Sequence, residues 1–161
     1  MLEDPGHSFH APCTALSDLG GTMLRMTSIQ RLRPVGLVVS PAFSHVAIVP
    51  PGATTIYIGG QNAVDASGAL VGEGDVAAQA SRAMQNVETA LAAAGATLAD
   101  VVSWTVLFVD GVDVGAAFGA IAPKLTLDEP GLVTSARVSG LGVQGALIEV
   151  SAVAAIVRDS A

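Results

Sequence analysis

Charged and aromatic residues are scarce in this chain of 161 amino acids. Only 13% of the residues are charged and 4% are aromatic, while 51% are hydrophobic. Globular proteins typically contain about 25% charged residues. The composition excludes disorder of the whole chain, which requires low hydrophobicity and high charge, and the length fits one domain. Because there are too few ionic groups to cover a monomer, we expect part of the surface to be buried against copies of the same chain.

Lysine and cysteine are nearly absent, since Lys124 and Cys13 are the only examples. Seven Lys and Arg residues against fourteen Asp and Glu residues give a net charge of −7, so the chain lacks the basic surface that binds nucleic acid. One cysteine forms no internal disulfide, which indicates a reducing compartment. No secretory signal is recognisable, and prolines interrupt the uncharged run 34–64, which excludes a spanning helix there. We therefore expect a cytoplasmic protein with neither a nucleic-acid nor a membrane partner.

The first 25 residues show no helical or strand periodicity. Proline and glycine are scattered through them, and we expect 1–25 to be a disordered tail ahead of a single domain at 26–161. His7 and His10 lie in this tail. Their spacing would suit a metal ion, but no third ligand lies nearby, so we predict no metal site.

Apolar periodicity divides the domain into strands and helices in the order β-β-α-β-α-β-β. The first two strands are predicted to form a hairpin across a Pro-Pro-Gly turn. One helix begins at the N-cap Asp75 and ends at Gly95, with a buried face made mostly of alanine, and a second begins at Asp113. The third strand is apolar on both faces, which predicts a central position. Both helices are expected on one face of the sheet, which is an α+β fold. The predicted strands are 46–49, 54–58, 101–109, 132–138 and 146–157.

Motifs for phosphate, dinucleotide or zinc binding and for a serine nucleophile are absent. His45 is the only histidine inside the domain and is interpreted as a packed or surface residue. Asp110 and Asp113 flank a turn before a helix, where carboxylates serve as caps. Glu149 stands out because it lies within the apolar run 146–154. It is either a carboxylate of a functional site, which is costly to bury without a partner, or a sheet-edge residue in contact with water. The pattern is compatible with both.

Several short segments in a fixed order resemble the RidA/YjgF family. No single segment is specific, but the ordered set at this spacing is, and the resemblance covers about 29–157. The segments are 56–61 (IYIGGQ), Asn86-Val87, 93–95 (AAG), 100–102 (DVV), Thr105-Val106, Asp110 and 148–154 (IEVSAVA).

The resemblance implies a fold like that of the small trimeric chorismate mutases. Three subunits close their sheets into a barrel, and small-molecule clefts lie between neighbours. Active members hydrolyse enamines and imines derived from amino acids, with neither a metal nor a cofactor. In such members an arginine binds the substrate carboxylate with a bidentate fork, and a glutamate orients or activates the attacking water.

This sequence matches the residues of that family site only in part. The glutamate corresponds to Glu149, and the glycine of the family's Ser-Gly-Gln turn corresponds to Gly60. An early aromatic residue corresponds to Phe43, which lacks a hydroxyl group. A polar residue of the second helix corresponds to Phe118, and the arginine position falls on Val133.

The missing arginine decides which substrates are expected. Moving the alignment by one residue replaces Val133 by Thr134, and neither is basic. Arg137 follows on the same strand face as Val133, roughly 13 Å further along, and could serve only a ligand that binds differently. An unpaired carboxylate in an apolar cleft costs about 3–5 kcal/mol, or roughly two to four orders of magnitude in binding. We therefore predict poor deamination of 2-iminopropionate-type acids, in a pocket made apolar by Phe43, Phe118 and Val133.

Three functions remain as hypotheses. The first is a divergent hydrolase of a neutral or differently charged imine, enamine or related carbonyl compound. The second is a non-catalytic small-molecule-binding or regulatory trimer of the same fold. The third, an endoribonuclease, fits poorly with the net charge of −7 and the single lysine.

Overall fold

Two helices cover one face of a four-stranded sheet, and a two-stranded sheet is attached to the end of it. The computed structural model describes residues 28–157, so the predicted tail 1–25, with His7 and His10, lies outside the described residues. The elements are β1 (Gln30–Leu32), β2 (Val46–Ile48), β3 (Thr54–Gln61), α1 (Val76–Ala93), β4 (Val101–Val109), α2 (Val114–Leu125), β5 (Leu132–Val138) and β6 (Ile148–Ile156).

The main sheet has the strand order β3-β6-β4-β5. Strand β6 runs antiparallel to both β3 and β4, whereas β4 and β5 are parallel. Helix α2 connects the parallel pair, because parallel neighbours need a crossover rather than a tight turn. Strand β4 is an inner strand, as its two-sided apolar run predicts. The α+β fold class is confirmed.

Helix α1 begins and ends where the sequence predicts. The Asp75 carboxylate accepts hydrogen bonds of 3.0 Å from the backbone N–H groups two and three residues further on, and such an N-cap contributes about 1 kcal/mol. Gly95 follows the helix end with a φ of +72°, a conformation that residues with a side chain avoid. Ala80 and Ala83 are fully buried on the inner face of the helix, so its axis lies close to the sheet.

The hydrophobic core lies between the helices and the sheet. Trp104, Val106 and Phe108 of β4 point into it and are at most 3% exposed. Burial of one large apolar side chain contributes about 1.5–3 kcal/mol. The Phe118 ring of α2 packs on the Phe108 ring, with centroids 5.3 Å apart. The protein's own helices thus occupy one face of the sheet and leave the opposite face for the site described below.

The predicted hairpin between 46–49 and 54–58 is wrong. Strand β2 pairs instead with β1, for which the sequence gives no local signal, and β3 pairs with β6. Pro50 and Pro51 lack the N–H groups that a continuing ladder needs. The turn that begins at Pro50 carries the chain out of the small sheet and into the large one.

Arg31 fastens the small sheet to the main one. Its Nη2 donates hydrogen bonds to the carbonyl oxygens of Ala99, at 2.9 Å, and Val101, at 2.8 Å. Its Nη1 lies 3.6 Å from a carboxylate oxygen of Glu129, and the side chain is only 6% exposed. The guanidinium therefore fixes β1 against the beginning of β4.

Candidate functional site

The face of the main sheet that points away from the helices holds Glu149. Side chains alternate between the two faces of a strand, so the strand registers identify the residues that share this face. Tyr57 is 79% exposed there. We call this surface the open face. It comprises Thr55 and Tyr57 of β3, Glu149, Ser151 and Val153 of β6, Ser103, Thr105 and Leu107 of β4, and Leu132, Thr134 and Ala136 of β5.

A β-bulge beside Glu149 makes room for its carboxyl group. The pairing of β3 with β6 shifts at Gly59 and Gly60, which together face the single residue Ser151. A Cβ atom on Gly60 would lie 2.5 Å from Cδ of Glu149, whereas a Cβ atom on Gly59 would meet no atom within 4 Å. Gly60 therefore has to be glycine for the carboxyl group to occupy this position. Bulges of this kind often lie beside active sites.

Two buried amide side chains hold the beginning of β6. Asn62 Nδ2 donates a 3.0 Å hydrogen bond to the carbonyl oxygen of Ile148. Gln79 Oε1 accepts a 2.8 Å hydrogen bond from the backbone N–H of Leu147, and Gln79 Nε2 donates to two loop carbonyls at 3.1 and 3.0 Å. Glu149 follows these residues directly, so the two amides fix the backbone from which its side chain extends.

Glu149 carries the single charge of the open face and is half-buried. Among residues 28–157, no group donates a hydrogen bond to its carboxylate, and Arg31, Arg82 and Lys124 bind other groups. Strand β6 is an inner strand, which removes the alternative that Glu149 is a sheet-edge residue. A carboxylate with unused acceptor capacity can take a proton from a water molecule.

Strand register separates the two candidates for the family's arginine position. Val133 pairs with Trp104 and packs against the core on the helix side. Thr134 pairs with Thr105 and is exposed on the open face, the side that holds Glu149. The residue that shares a surface with Glu149 is therefore Thr134, which has no charge.

Phe118 and Arg137 also lie on the helix side of the sheet. Phe118 belongs to the cluster around Phe108. Arg137 pairs with Phe108 in the β4–β5 ladder, and its Nη1 donates a 3.5 Å hydrogen bond to the carbonyl oxygen of Val112. Within one subunit the structure does not bring Val133, Phe118 or Arg137 to Glu149.

Phe43 lies at the end of the sheet remote from Glu149. Its ring contacts the edge of the His45 ring, with centroids 5.4 Å apart and planes at 85°. The neighbouring Ser44 N–H donates a 3.1 Å hydrogen bond to the carbonyl oxygen of Gly131, just before β5. Gly131 lies beside Val101 and Val102, whereas Glu149 pairs with Leu107, which is about 17 Å further along β4 by strand rise.

Acidic turns outside the open face have structural roles. Asp113 caps α2 by accepting a 3.0 Å hydrogen bond from the N–H of Ala116, as predicted. Hydrogen bonds from the Ser67 hydroxyl and from the backbone N–H groups of Ala69 and Ser67 lower the pKa of Asp65 below 3.8. In the range 28–157, no three His, Cys, Asp or Glu residues are grouped as metal ligands would be. Nor is any helix in that range long and apolar enough to cross a bilayer.

A surface cavity of about 450 Å³ lies at the C-terminal end of α1. Glu88, Leu91 and Leu98 contribute to its walls. It contains none of the residues that the sequence identifies as a site, and the Glu88 carboxylate is paired with Lys124.

Two further polar residues, Thr105 and Ser151, lie on the same face as Glu149; both belong to segments that resemble the family, but the resemblance assigned them no role in the site. Thr105 pairs with Ser151 across β4 and β6. The signal that identifies them is strand alternation. Ser151 is two residues beyond Glu149 and so shares its face, and Thr105 follows once the register of β4 is known.

Comparison with known proteins gives a consistent result. The family model described as endoribonuclease L-PSP matches residues 37–156. A Rid-family protein of unknown function from Yersinia pestis, YyfB, is 30% identical over 80% of this chain and 98% of its own, with a TM-score of 0.70. RidA from Psychrobacter sp. is 25% identical over 74% of this chain and 98% of its own, with a TM-score of 0.57.

A third solved structure and the curated proteins complete the comparison. Rv2704 from Mycobacterium tuberculosis, a member of the YjgF/YER057c/UK114 family, is 25% identical over 80% of this chain and all of its own, with a TM-score of 0.55. No curated protein matches the chain significantly.

Proposed function

The chain belongs to the endoribonuclease L-PSP family, which includes RidA and YjgF, and from this premise we propose that it is a homotrimer that hydrolyses an uncharged imine or enamine in a cleft between subunits. The observation that carries the proposal is Glu149, a carboxylate on an otherwise uncharged surface, beside a bulge where a Cβ atom on residue 60 would displace the carboxyl group. The expected cytoplasmic location remains part of this proposal.

The open face supports association of the subunits. Leu107, Val153 and Leu132 are only half-buried there, and Tyr57 is exposed. A single chain thus leaves apolar side chains in water, and contact with a second copy would remove them from it. Phe43 is too far from Glu149 to share a cleft within one subunit, so its proposed contact with a ligand requires the neighbouring copy.

The proposed reaction uses water and no cofactor. The Glu149 carboxylate accepts a proton from a water molecule while the water oxygen attacks the imine carbon, and it returns this proton to the nitrogen, giving the carbinolamine R₂C(OH)NH₂. Glu149 then carries the hydroxyl proton to the nitrogen, the C–N bond breaks as the C=O bond forms, and a carbonyl compound and ammonia leave. The net reaction is R₂C=NH + H₂O → R₂C=O + NH₃. An enamine enters the same sequence after it tautomerises to the imine.

The charge of the open face supports an uncharged substrate. Of the two candidates for the arginine position, only Thr134 shares a surface with Glu149, and it has no charge; the Arg137 guanidinium is on the helix side. Within one subunit, a substrate carboxylate would therefore meet the negative charge of Glu149 without a compensating cation on the open face. This is the reason that we propose a substrate other than the 2-imino acids.

Hydrolysis of imines generated in the assay tests the proposal. A flavin amine oxidase acting on benzylamine supplies a neutral imine, and an L-amino-acid oxidase acting on leucine supplies a 2-imino acid. We expect the protein to accelerate benzaldehyde formation, and Glu149→Gln to lower that acceleration by at least about 100-fold. Glu73→Gln, which changes an exposed acid outside the open face, is the matched control. Light scattering should give three times the chain mass of 16.0 kDa.

Two results would contradict this function. One is an unchanged rate in Glu149→Gln, and the other is hydrolysis of the 2-imino acid as fast as by an arginine-bearing family member. RNA cleavage by the pure protein with a strong dependence on salt would instead support an endoribonuclease.

The second candidate is a non-catalytic small-molecule-binding or regulatory trimer. The observation that favours it is the Glu149 carboxylate, which no donor among residues 28–157 orients. In that case Glu149→Gln would leave ligand-induced shifts in melting temperature nearly intact, and the parent protein would not accelerate imine hydrolysis.

A further inference from the structure

Three hydroxyl side chains form a row across the open face. Thr134 of β5 pairs with Thr105 of β4, and Thr105 pairs with Ser151 of β6. Neighbouring strands are about 4.8 Å apart, so the row spans about 10 Å. We call these three residues the hydroxyl row. Glu149 lies two residues from Ser151 on the same strand, about 7 Å away, which is within the reach of one small molecule.

The hydroxyl row has no structural task within the subunit. Among residues 28–157, no hydrogen bond joins any of these three hydroxyl groups to another group, in contrast to the hydroxyls of Ser67 and Thr97. Thr105 and Thr134 are exposed, and Ser151 is half-buried. Each hydroxyl group therefore keeps one donor and two acceptor positions for a ligand.

The chemistry of the row selects an uncharged polar group. Hydroxyl groups both donate and accept, which suits an amide, a carbonyl or an alcohol. A carboxylate would gain neutral donors only, and it would lie within about 7–12 Å of the Glu149 charge with no cation on the same face.

We propose that the hydroxyl row is the subsite that binds an uncharged hydrogen-bonding group of the ligand, while Glu149 lies next to the ligand's reacting carbon and activates the attacking water. This inference rests on the proposed cleft at Glu149 and adds the class of ligand, which is a neutral carbonyl or imine compound bearing an amide or alcohol group. The residues assigned to binding are Thr105, Thr134 and Ser151.

Equilibrium binding of two stable probes to the intact chain tests this assignment. The probes are 4-methyl-2-oxopentanamide and 4-methyl-2-oxopentanoate, which differ in a neutral amide against a carboxylate. By titration calorimetry we expect the parent protein to bind the amide at least about ten-fold more tightly. Thr105→Val and Thr134→Val, which keep side-chain shape, should each weaken amide binding about two- to ten-fold.

Three further variants separate the subsite from a general effect on the surface. Thr134→Ser keeps a hydroxyl group and should retain binding. Thr55→Val removes a hydroxyl from the same face, about 13 Å from Ser151 along the sheet, and should bind like the parent. Thr134→Arg places a cation in the row and should reverse the preference, favouring the carboxylate by about ten-fold or more.

The outcomes distinguish this inference from the proposed function. Failure of the parent to bind the amide, or parent-like binding by both valine variants, overturns the hydroxyl row even where Glu149→Gln abolishes imine hydrolysis. Loss of amide binding in the valine variants supports the row even where Glu149→Gln leaves hydrolysis unchanged, in which case only the proposed reaction fails.

Discussion

Replacement of Gly60 by alanine should move the Glu149 carboxyl group while leaving the stability of the fold nearly unchanged. The added Cβ would lie 2.5 Å from Cδ and 3.0 Å from Cγ of Glu149, whereas ordinary contacts begin at 3.4 Å. The carboxyl group therefore has to move by about 1 Å, and a misplacement of that size costs about 100-fold in rate. We expect Gly60→Ala to hydrolyse the benzylamine-derived imine about 100-fold more slowly than the parent.

The same substitution should change stability little. Moving the end of a flexible, half-buried side chain costs about 1 kcal/mol, the low end for overpacking. Alanine also restricts the unfolded chain, which stabilises by about 0.4–1 kcal/mol, and Gly60 is not among the glycines with positive φ. The two effects nearly cancel, so the urea midpoint should stay close to that of the parent.

Gly59→Ala is the matched control for Gly60→Ala. It makes the same chemical change one residue earlier in the bulge, where the new Cβ meets no atom within 4 Å. We expect parental activity and equal or slightly greater stability. A Gly60→Ala protein with the parental rate, or an equal loss in both variants, would refute the assignment of Gly60 as the residue that makes room for the carboxyl group.

Three other perturbations test the contacts that support the site. Gln79→Leu leaves three backbone groups in partly buried positions without their partner and should lower the free energy of unfolding by about 1–3 kcal/mol. Gln85→Leu on the exposed side of α1 should change it by less than about 0.5 kcal/mol in urea titrations. Arg31→Met should reduce hydrogen-exchange protection of β1 and β2 but not of β4 and β6, because the lost guanidinium bonds hold only the small sheet. An equal loss of protection in all four strands would contradict this. The folded-state pKa of Asp65 lies below the unfolded value of 3.8, chiefly because the Ser67 hydroxyl donates a hydrogen bond to it. The carboxylate therefore stabilises the folded protein above pH 3.8, and this stabilisation is lost as the pH falls through the folded-state pKa. Melting temperatures measured against pH should therefore fall more steeply below pH 3.8 for the parent than for Asp65→Ala, and parallel curves would exclude this role.

Local signals explain which parts of the fold were predictable. The cap at Asp75, the stop at Gly95 and the apolar run of β4 each act over a few residues, and the helix and the strand have the bounds that these signals predict. The partner of β2 depends on contacts distant in sequence. Strand β1 has only three residues, and its place is fixed by Arg31 through carbonyl groups about 70 positions away, which no local pattern reveals.

The structure brings together two of the residues that the family resemblance assigns to a site, and their role there stays a prediction. These residues are Glu149 and Gly60, and the bulge explains physically why glycine at position 60 leaves room for that carboxylate. The same match could not give the orientation of Phe118, because a helix residue equivalent by sequence can pack on its own core. Its contact with Phe108 is a property of the tertiary structure.

Strand register explains why a one-residue ambiguity in sequence becomes a question of function. Val133 and Thr134 are neighbours in the chain, yet successive side chains of a strand point to opposite faces. If the alignment of the family's arginine is uncertain by one residue, its position falls either in the core, at Val133, or on the surface that holds Glu149, at Thr134. The structure places Val133 against the core and Thr134, paired with Thr105, on the surface that holds Glu149. Which of the two corresponds to the family's arginine stays a prediction, and the chemistry expected of the site depends on it. If Val133 is the arginine position, its side chain adds only to the apolar core. If Thr134 is that position, a hydroxyl group aligned with two others stands there instead of a cation. In the second case, the open face lacks a positive charge but carries three hydroxyl groups that can bind a neutral polar ligand.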